Sequence, residues 1–508
     1  MTRRGLAPLL CALVAAATVA APASAGRPPR RPAGHFVFHG SGYGHGIGMS
    51  QYGALGLARR GWGPDKIVRH YYRGVTVAEG QPVEPAITVG LLQNAGTARL
   101  VSTAGPFDLA LHSGELVETV PAGQRRTVEV TGDRRFRILR QDGTEVAVVG
   151  GPGNDLVARL QPGSRVRVPE WGHELAHGEV RFRATGPGTA HVLAVLAVED
   201  YVLGISEVPN SWPLPALGAQ AIAARTYGYW RLAGALRADC SCDVYTSTAD
   251  QVYVGWDKEA SAQGERWVQA VTDTARVVAT YRGQPIYAAY SSSSGGYTEN
   301  IEKVWIGATP QPYLRGVCDP GDNVADNPNR VWQAAFEAGP LTTGLRKYTG
   351  DIGTVTRFGD WTLGVSGRVS SVRVRGTRGT SVIEGWDIRS GLALKDTRFS
   401  INRNLNVTGA IRDEYDRIGC RPGRAVSAQK KVRGGREQRF VGGRMYEHGR
   451  LNATVWLRGA VLGQYLKLRG PRGRLGLPYR YKKIRRGAKA LFDRGTIACT
   501  PRCRVRAR

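Results

Sequence analysis

The chain of 508 residues is long enough to bury the cores of two or three domains. It carries 70 Lys and Arg against 41 Asp and Glu, a formal charge of +29. Beyond the first 25 residues no run approaches the roughly 20 apolar residues that span a bilayer, which excludes a later membrane helix.

Residues 1–25 have the form of a secretory signal. Arg3 and Arg4 precede a largely apolar stretch from Leu6 to Ala21, and Ala23-Ser24-Ala25 is a small-residue cleavage site. Cys11 has no small residues just before it, which argues against a lipoprotein anchor. Residues 26–34, rich in Arg and Pro, read as a disordered leader. The predicted location is secreted and cell-wall associated. An exported chain meets little nucleic acid; its charge suits anionic wall polymers, phospholipid head groups or phosphorylated glycans, with solubility as the plainer account of part of it. Without Cys11 six cysteines remain, an even number that favours disulfides. Cys499 and Cys503 are close enough to pair, and Cys240, Cys242, Cys318 and Cys420 allow two more bridges with the partners open. A metal at Cys240-Ser-Cys242 is the rival, disfavoured by the spacing and by the lack of a nearby His.

In chain order, residues 35–80 open with His39-Gly-Ser-Gly-Tyr-Gly-His45-Gly-Ile-Gly-Met-Ser-Gln51-Tyr52-Gly-Ala. Such glycine density permits positive φ and close backbone approach. It is only loosely like a dinucleotide fingerprint, because the βαβ setting and the following acid are missing. The spacing predicts helices over Ser50 to Arg60 and Pro64 to Tyr72. Residues 85–195 read as β framework: Ile87-Thr-Val-Gly-Leu-Leu, Arg99-Leu-Val-Ser, Thr127-Val-Glu-Val and Val180-Arg-Phe-Arg-Ala alternate between Gly-rich turns, with an insert expected around Thr127 to Arg167.

Residues 196–425 hold the stretch that organises the chain, Glu199-Asp-Tyr-Val-Leu-Gly-Ile-Ser-Glu207-Val-Pro-Asn-Ser-Trp-Pro, followed by Ala-Gln-Ala-Ile-Ala-Ala-Arg225-Thr-Tyr. Ser211 is a suitable N-cap and Pro213 falls near the first helical position. From Leu214 small and apolar residues recur at helical spacing, so a closely packed helix is expected. Glu207 stands among Ile205, Val208, Pro209 and Trp212, and a carboxyl in apolar company keeps its proton longer, as a general acid for glycoside cleavage must. The plainer account pairs Glu207 with a cation such as Arg225. Further on, Trp267 to Thr280 reads as helix, and Tyr287-Ala-Ala-Tyr-Ser-Ser-Ser-Ser-Gly-Gly-Tyr-Thr-Glu-Asn300 as a polar loop whose hydroxyls and amides suit a sugar, or an ordinary solvated turn.

Together with Gly385-Trp-Asp-Ile-Arg-Ser-Gly-Leu-Ala-Leu-Lys-Asp-Thr-Arg-Phe399, these motifs resemble the SpoIID/LytB family over about Phe36 to Asn406. The Gly-His-Gly block ends the domain in the commoner layout and comes first here, which implies a circular permutation. The resemblance implies an α+β, β-rich domain with a central helix after the catalytic Glu. It implies action on peptidoglycan, as a lytic transglycosylase or as a non-catalytic amidase enhancer. By motif position it implies Glu207 as the acid, and a substrate site drawn from Arg225, Tyr227, Ser211, Gln220, Ser293, Ser294, Gly295, His45, Gln51 and Tyr52. No cofactor and no metal are implied: Tyr245 to Gln251 lacks the Cys and His of some members, and Ser291 stands where many have His. The expected partners are peptidoglycan glycan strands and a wall amidase.

After an expected linker from Arg421 to Gln429, residues 430–508 carry 23 Lys or Arg against three acids, a net charge of about +20. Phe440-Val-Gly-Gly-Arg-Met-Tyr, Ala453-Thr-Val-Trp-Leu-Arg-Gly459 and Gly473-Arg-Leu-Gly-Leu-Pro478 resemble an LGFP repeat, with Leu477 in place of Phe. That implies a small β-rich module attaching to anionic envelope polymers.

Overall fold

The computed structural model of the protein describes residues 34–80, 85–500 and 502–507. The signal, and all of the leader except Gly34, lie outside the described residues.

The architecture is mixed α and β, and strand-rich. The alternating runs between 86 and 197 build two sheets. One has seven strands in the order 244–245, 86–95, 189–197, 179–186, 156–160, 107–111 and 116–120. The other has six, in the order 145–149, 136–139, 125–130, 97–104, 165–168 and 173–175. Residues 127–167, where an insert is expected, feed both sheets. The inward apolar residues, among them Leu100, Val128 and Phe136 of one sheet and Leu109, Leu156 and Val180 of the other, share one buried core.

Helices Gln51–Ala58, Pro64–Tyr71, Leu214–Leu232 and Gly264–Asp273 close over that core. The central helix is buried along most of its length because its residues are small: a Cβ on Gly218 would come within 3.2 Å of Pro64 and Thr274. Two boundaries correct the sequence expectation. Pro213, in extended conformation, occupies the cap position with Pro215 in the first turn, while Ser211 is exposed upstream and caps nothing. The later helix ends at Asp273, not Thr280; Arg276 turns to φ +60°, and the β-branched Val277 and Val278 pair as a strand with Ala78 and Glu79.

A second core gathers the N-terminal strand His35–Gly40 between Trp332–Glu337 and Phe399–Ile401, the helix Ala338–Thr349 and the sheet of residues 355–384. The Gly-rich block thus starts in the second core and, from Ile47 onward, continues in the first. It also meets the segment that closes the chain's middle portion: Ser41 N–H donates to the Arg398 carbonyl and Gly44 N–H to that of Lys395.

Residues 430–507 form two four-stranded antiparallel sheets joined by the helix Gly459–Lys467 around a small core. Residues 421–429 are not a free linker. The buried Gln438 amide must find acceptors and donates to the carbonyls of Ser427, Leu405 and Asn406. Three disulfides join Cys240 to Cys242, Cys318 to Cys420 and Cys499 to Cys503.

Candidate functional site

A cleft of ≈ 440 Å³ lies against the first core, a volume in the range of small-ligand sites. The helix Gly385–Gly391, whose Ile388 belongs to the second core, supplies Trp386 and Arg389 to its wall. The cleft wall includes Tyr43, Gly44, His45 and Gln51 from the N-terminal block, Glu207, Tyr227 and Asp250, the loop Tyr287 to Ser292, and Trp305, Trp386 and Arg389.

Glu207 sits in the loop between helices Val198–Leu203 and Leu214–Leu232, where Pro209 and Pro213 prevent either helix from continuing. The loop is fixed from outside. Ile205 bridges Tyr253, Ser206 N–H donates to Val252, and Val254 N–H donates to Gly204. One carboxylate oxygen of Glu207 then accepts from Val252 N–H at 2.8 Å, and the other from Gln51 Nε2 at 3.4 Å. Tyr290 also bonds the carboxyl. Gln251 Nε2 donates to the Tyr290 hydroxyl oxygen at 2.8 Å, which leaves the hydroxyl hydrogen for Glu207. Burial pushes the Glu207 carboxyl above its ordinary value, against these hydrogen bonds and the charge of Lys258. Lys258 is itself drawn down to about 8 by burial, with Glu207 opposing. Its ammonium donates to the Val208 carbonyl at 2.7 Å. Glu207 also lines a second, more open depression with Val208 to Ser211 and Lys258, so one carboxyl faces both hollows.

The other carboxyl of the cleft is spent. Asp250 has a side chain with no exposed surface, is ion-paired with Arg237, accepts from the Tyr227 hydroxyl and receives Tyr245 N–H at 2.8 Å.

Glycine brings the N-terminal block in. Met49 and Ser50 pair in parallel with Tyr290 and Ser291. Gly44 at φ +117° and Gly48 at φ +66° permit the approach: a Cβ would lie 2.6 Å from Ser291 Cβ at the first and 2.0 Å from the Ala289 oxygen at the second. Ser50 then caps helix Gln51–Ala58 by accepting Gly53 N–H, which aims Gln51 at Glu207.

His45 lies on the cleft wall, but its nitrogens are occupied. Nδ1 accepts Ile47 N–H at 3.0 Å and the ring also bonds the Tyr290 backbone. Burial draws it down to about 4, so it is neutral at pH 7. It offers a ring face rather than a hydrogen bond, beside Trp305 at 5.3 Å. Trp305, Tyr287, Trp230 and Tyr227 continue as a chain of ring contacts, 4.4 Å between Trp230 and Tyr287.

Several expected site residues lie elsewhere. Arg225 is fully buried, forked onto Glu199 by two 2.7 Å bonds, and donates to the carbonyls of Val271 and Val277. It ties the central helix to its neighbours and meets neither the cleft nor Glu207. Ser293 and Ser294 are completely buried; their hydroxyls donate to Asp322 and Asp319, at 2.8 and 2.6 Å. The cleft face of that loop is Ser291 and Ser292 instead. Gly295 opens onto a different cavity. Gln220 is buried behind Gln51 and accepts from it at 3.4 Å. Tyr52 packs on Trp212 outside the cleft wall, 5.3 Å between ring centres. Ser211 lies on the second depression. Residue reasoning missed Tyr290, Gln251, Trp305, Trp386 and Arg389. Tyr290, Trp386 and Arg389 lay in stretches singled out as part of the motif set, and Gln251 ends the segment from Tyr245, but nothing local marks Trp305.

Among known proteins, a family profile described as Stage II sporulation protein, SpoIID, matches residues 187–281, the span that contains Glu207 and the central helix. Stage II sporulation protein D of Bacillus subtilis is 30% identical over 221 residues, 41% of this chain and 61% of that protein. The protein of the same name from Bacillus amyloliquefaciens is 28% identical over 225 residues, 42% and 62% of the two chains. The amidase enhancer of Bacillus subtilis is 40% identical over 105 residues, 21% of this chain and 13% of that protein. The chain thus spans about three fifths of the sporulation proteins it matches. The chain carries a SpoIID domain at its centre and is similar to proteins of both the SpoIID and the amidase-enhancer branches.

Proposed function

We propose that the protein is an exported, cell-wall-associated lytic transglycosylase that cleaves peptidoglycan between N-acetylmuramic acid and N-acetylglucosamine. The observation that carries this reading is the asymmetry of the two cleft carboxyls: Glu207 is raised by burial and held by neutral donors alone, while Asp250 is ion-paired with Arg237 and takes two further donors. Hydrolysis with retention or inversion needs two working carboxyls. A lytic transglycosylase needs one. Protonated Glu207 donates to the glycosidic oxygen as the C1–O bond breaks; the resulting carboxylate takes the proton of the muramyl C6 hydroxyl as that oxygen bonds C1. The product is a 1,6-anhydro end, and Glu207 is again protonated. Gln51, Val252 N–H and Tyr290 aim the carboxyl, and Trp305 and Tyr287 offer faces to a sugar ring. The second depression beyond Glu207 suits a polymer that continues past the cut.

Glu207→Gln keeps the shape and removes the titrating proton. It should lower turnover of glycan strands by about 10³-fold and leave glycan binding and thermal stability near wild type; unchanged turnover would reject the mechanism.

The second reading is a non-catalytic protein that binds wall glycan and stimulates an amidase; the 40% identity to an amidase enhancer favours it. The module of residues 430–508, with its net charge of about +20, supports attachment to anionic envelope polymers in either case. Its deletion should weaken retention on isolated cell walls, and retention of the intact chain should fall with added salt. Equal retention without the module would leave its charge as a matter of solubility.

A further inference from the structure

We propose that a small cavity distinct from the Glu207 cleft is a binding site for a phosphoryl group. Three guanidiniums, Arg330, Arg398 and Arg424, line it together with the polar side chains of Ser41, Ser400 and Asn406, and no Asp or Glu does. The cavity measures ≈ 80 Å³, a few times the roughly 30 Å³ share of a liquid water. It has room for one small tetrahedral group.

The arginines are unlike those around them. Most buried arginines of this protein are matched: Arg368 lies 2.8 Å from Asp396, Arg225 forks onto Glu199, and Arg412 reaches Asp416 at 2.7 Å. Arg398 has no ion pair among the described residues, and Arg330 and Arg424 have neither an ion pair nor a side-chain hydrogen bond there. Arg398 is held by neutral acceptors instead. Its Nε donates to the Ser366 carbonyl at 3.0 Å, and its Nη1 to Ser41 Oγ at 3.2 Å and to the Gly295 carbonyl. Burial, and then the charge of Arg368, draws Arg398 down to about 10, and Asp396, already paired with Arg368, opposes this only in part. Arg330 is exposed and Arg398 and Arg424 are half-buried, so their cost is mutual repulsion around one hollow, which a bound anion would relieve. A phosphoryl group has the charge and the several acceptor oxygens to satisfy three guanidiniums and the hydroxyls beside them.

The inference is independent of chemistry at Glu207, although the two hollows share backbone. Tyr43 and Ser293 exchange N–H···O bonds of 2.9 and 3.1 Å, with Ser41 and Gly295 on the arginine side and His45 and Ser291 on the cleft side.

Calorimetric titration of the mature chain at constant ionic strength tests the site, with inorganic phosphate, glycerol phosphate and acetate as probes. Phosphate should bind and acetate should not. Binding of glycerol phosphate as well would identify the source as a phosphate ester; binding of phosphate alone would identify it as the free ion. The double variant Arg330→Gln and Arg424→Gln should weaken phosphate binding about tenfold or more. Arg480→Gln with Lys483→Gln, in the basic module, should leave it unchanged. If the first double variant does not fold, Arg424→Gln alone is read in the same way. No phosphate binding, equal binding by the Arg330/Arg424 variant, or acetate binding as tightly as phosphate would overturn the proposal.

Discussion

The loop that carries Glu207 and the loop Ser291 to Gly296 invite the same expectation: polar groups set in a family motif and offered to a ligand. Their surroundings differ. Glu207 opens onto two hollows and is held by neutral donors alone, Val252 N–H at 2.8 Å, Gln51 at 3.4 Å and the Tyr290 hydroxyl. Ser293 and Ser294 are sealed beneath the surface by carboxylates, Asp319 and Asp322, that are themselves wholly buried. A polar group works on a ligand when the protein leaves part of its hydrogen-bonding capacity unspent, and it builds the scaffold when the protein spends it. The same rule separates Glu207 from Asp250 within one cleft.

Two substitutions, one in the buried loop and one in the turn that holds it, sharpen this contrast. Ser294→Ala removes the donor to Asp319 and the acceptor of Gly296 N–H. It should cost about 1–3 kcal/mol of stability, read by chemical denaturation, and leave cleavage per folded molecule unchanged. A loss of activity without a loss of stability would move Ser294 back into the site.

Asp322→Asn gives a smaller effect with a pH signature. Oδ1 of Asp322 accepts from Ser50, Ser293 and Ser294 N–H, while Oδ2 has no partner, so an amide fits in place of the carboxyl. Burial, then the charge of Asp319, holds Asp322 above the usual carboxylate range. A carboxyl raised in the folded state contributes stability that is full below its unfolded value and lost as pH rises through the folded value. The variant does not titrate there. Its stability relative to wild type should therefore rise from pH 4 to pH 8 in denaturation series. A flat difference would mean that Asp322 carries no penalty for its charge.

Much of this fold is legible in the sequence because its signals are local. The alternation in Ile87 to Leu92, the helix beginning near Ser50 and the run of small residues after Leu214 each describe their own neighbourhood. Glu207 is legible from its apolar neighbours and its motif. Other site features depend on residues distant in sequence. The partners of Ser294 are 25 residues away at Asp319 and, through its N–H, 244 residues away at Ser50. The guanidinium of Arg225 answers to Glu199, not to a substrate, and no periodicity distinguishes the two. Trp305 and Trp386, far apart in sequence, both pack against the first core and line the cleft. The strand Val277–Tyr281 was hidden by a helical pattern that continues past Asp273 until pairing with residues 76–79 overrides it.

The central claim is that one carboxyl both gives and takes the proton. The products of the wild-type mature protein acting on purified glycan strands, with and without stem peptides, report on this most directly by mass spectrometry. The account predicts new ends at N-acetylmuramic acid that are one water lighter than reducing ends, the mark of 1,6-anhydro closure. New reducing ends that have gained water would show hydrolysis by two carboxyls and contradict it, and the absence of any new ends would leave the protein a binder of the wall.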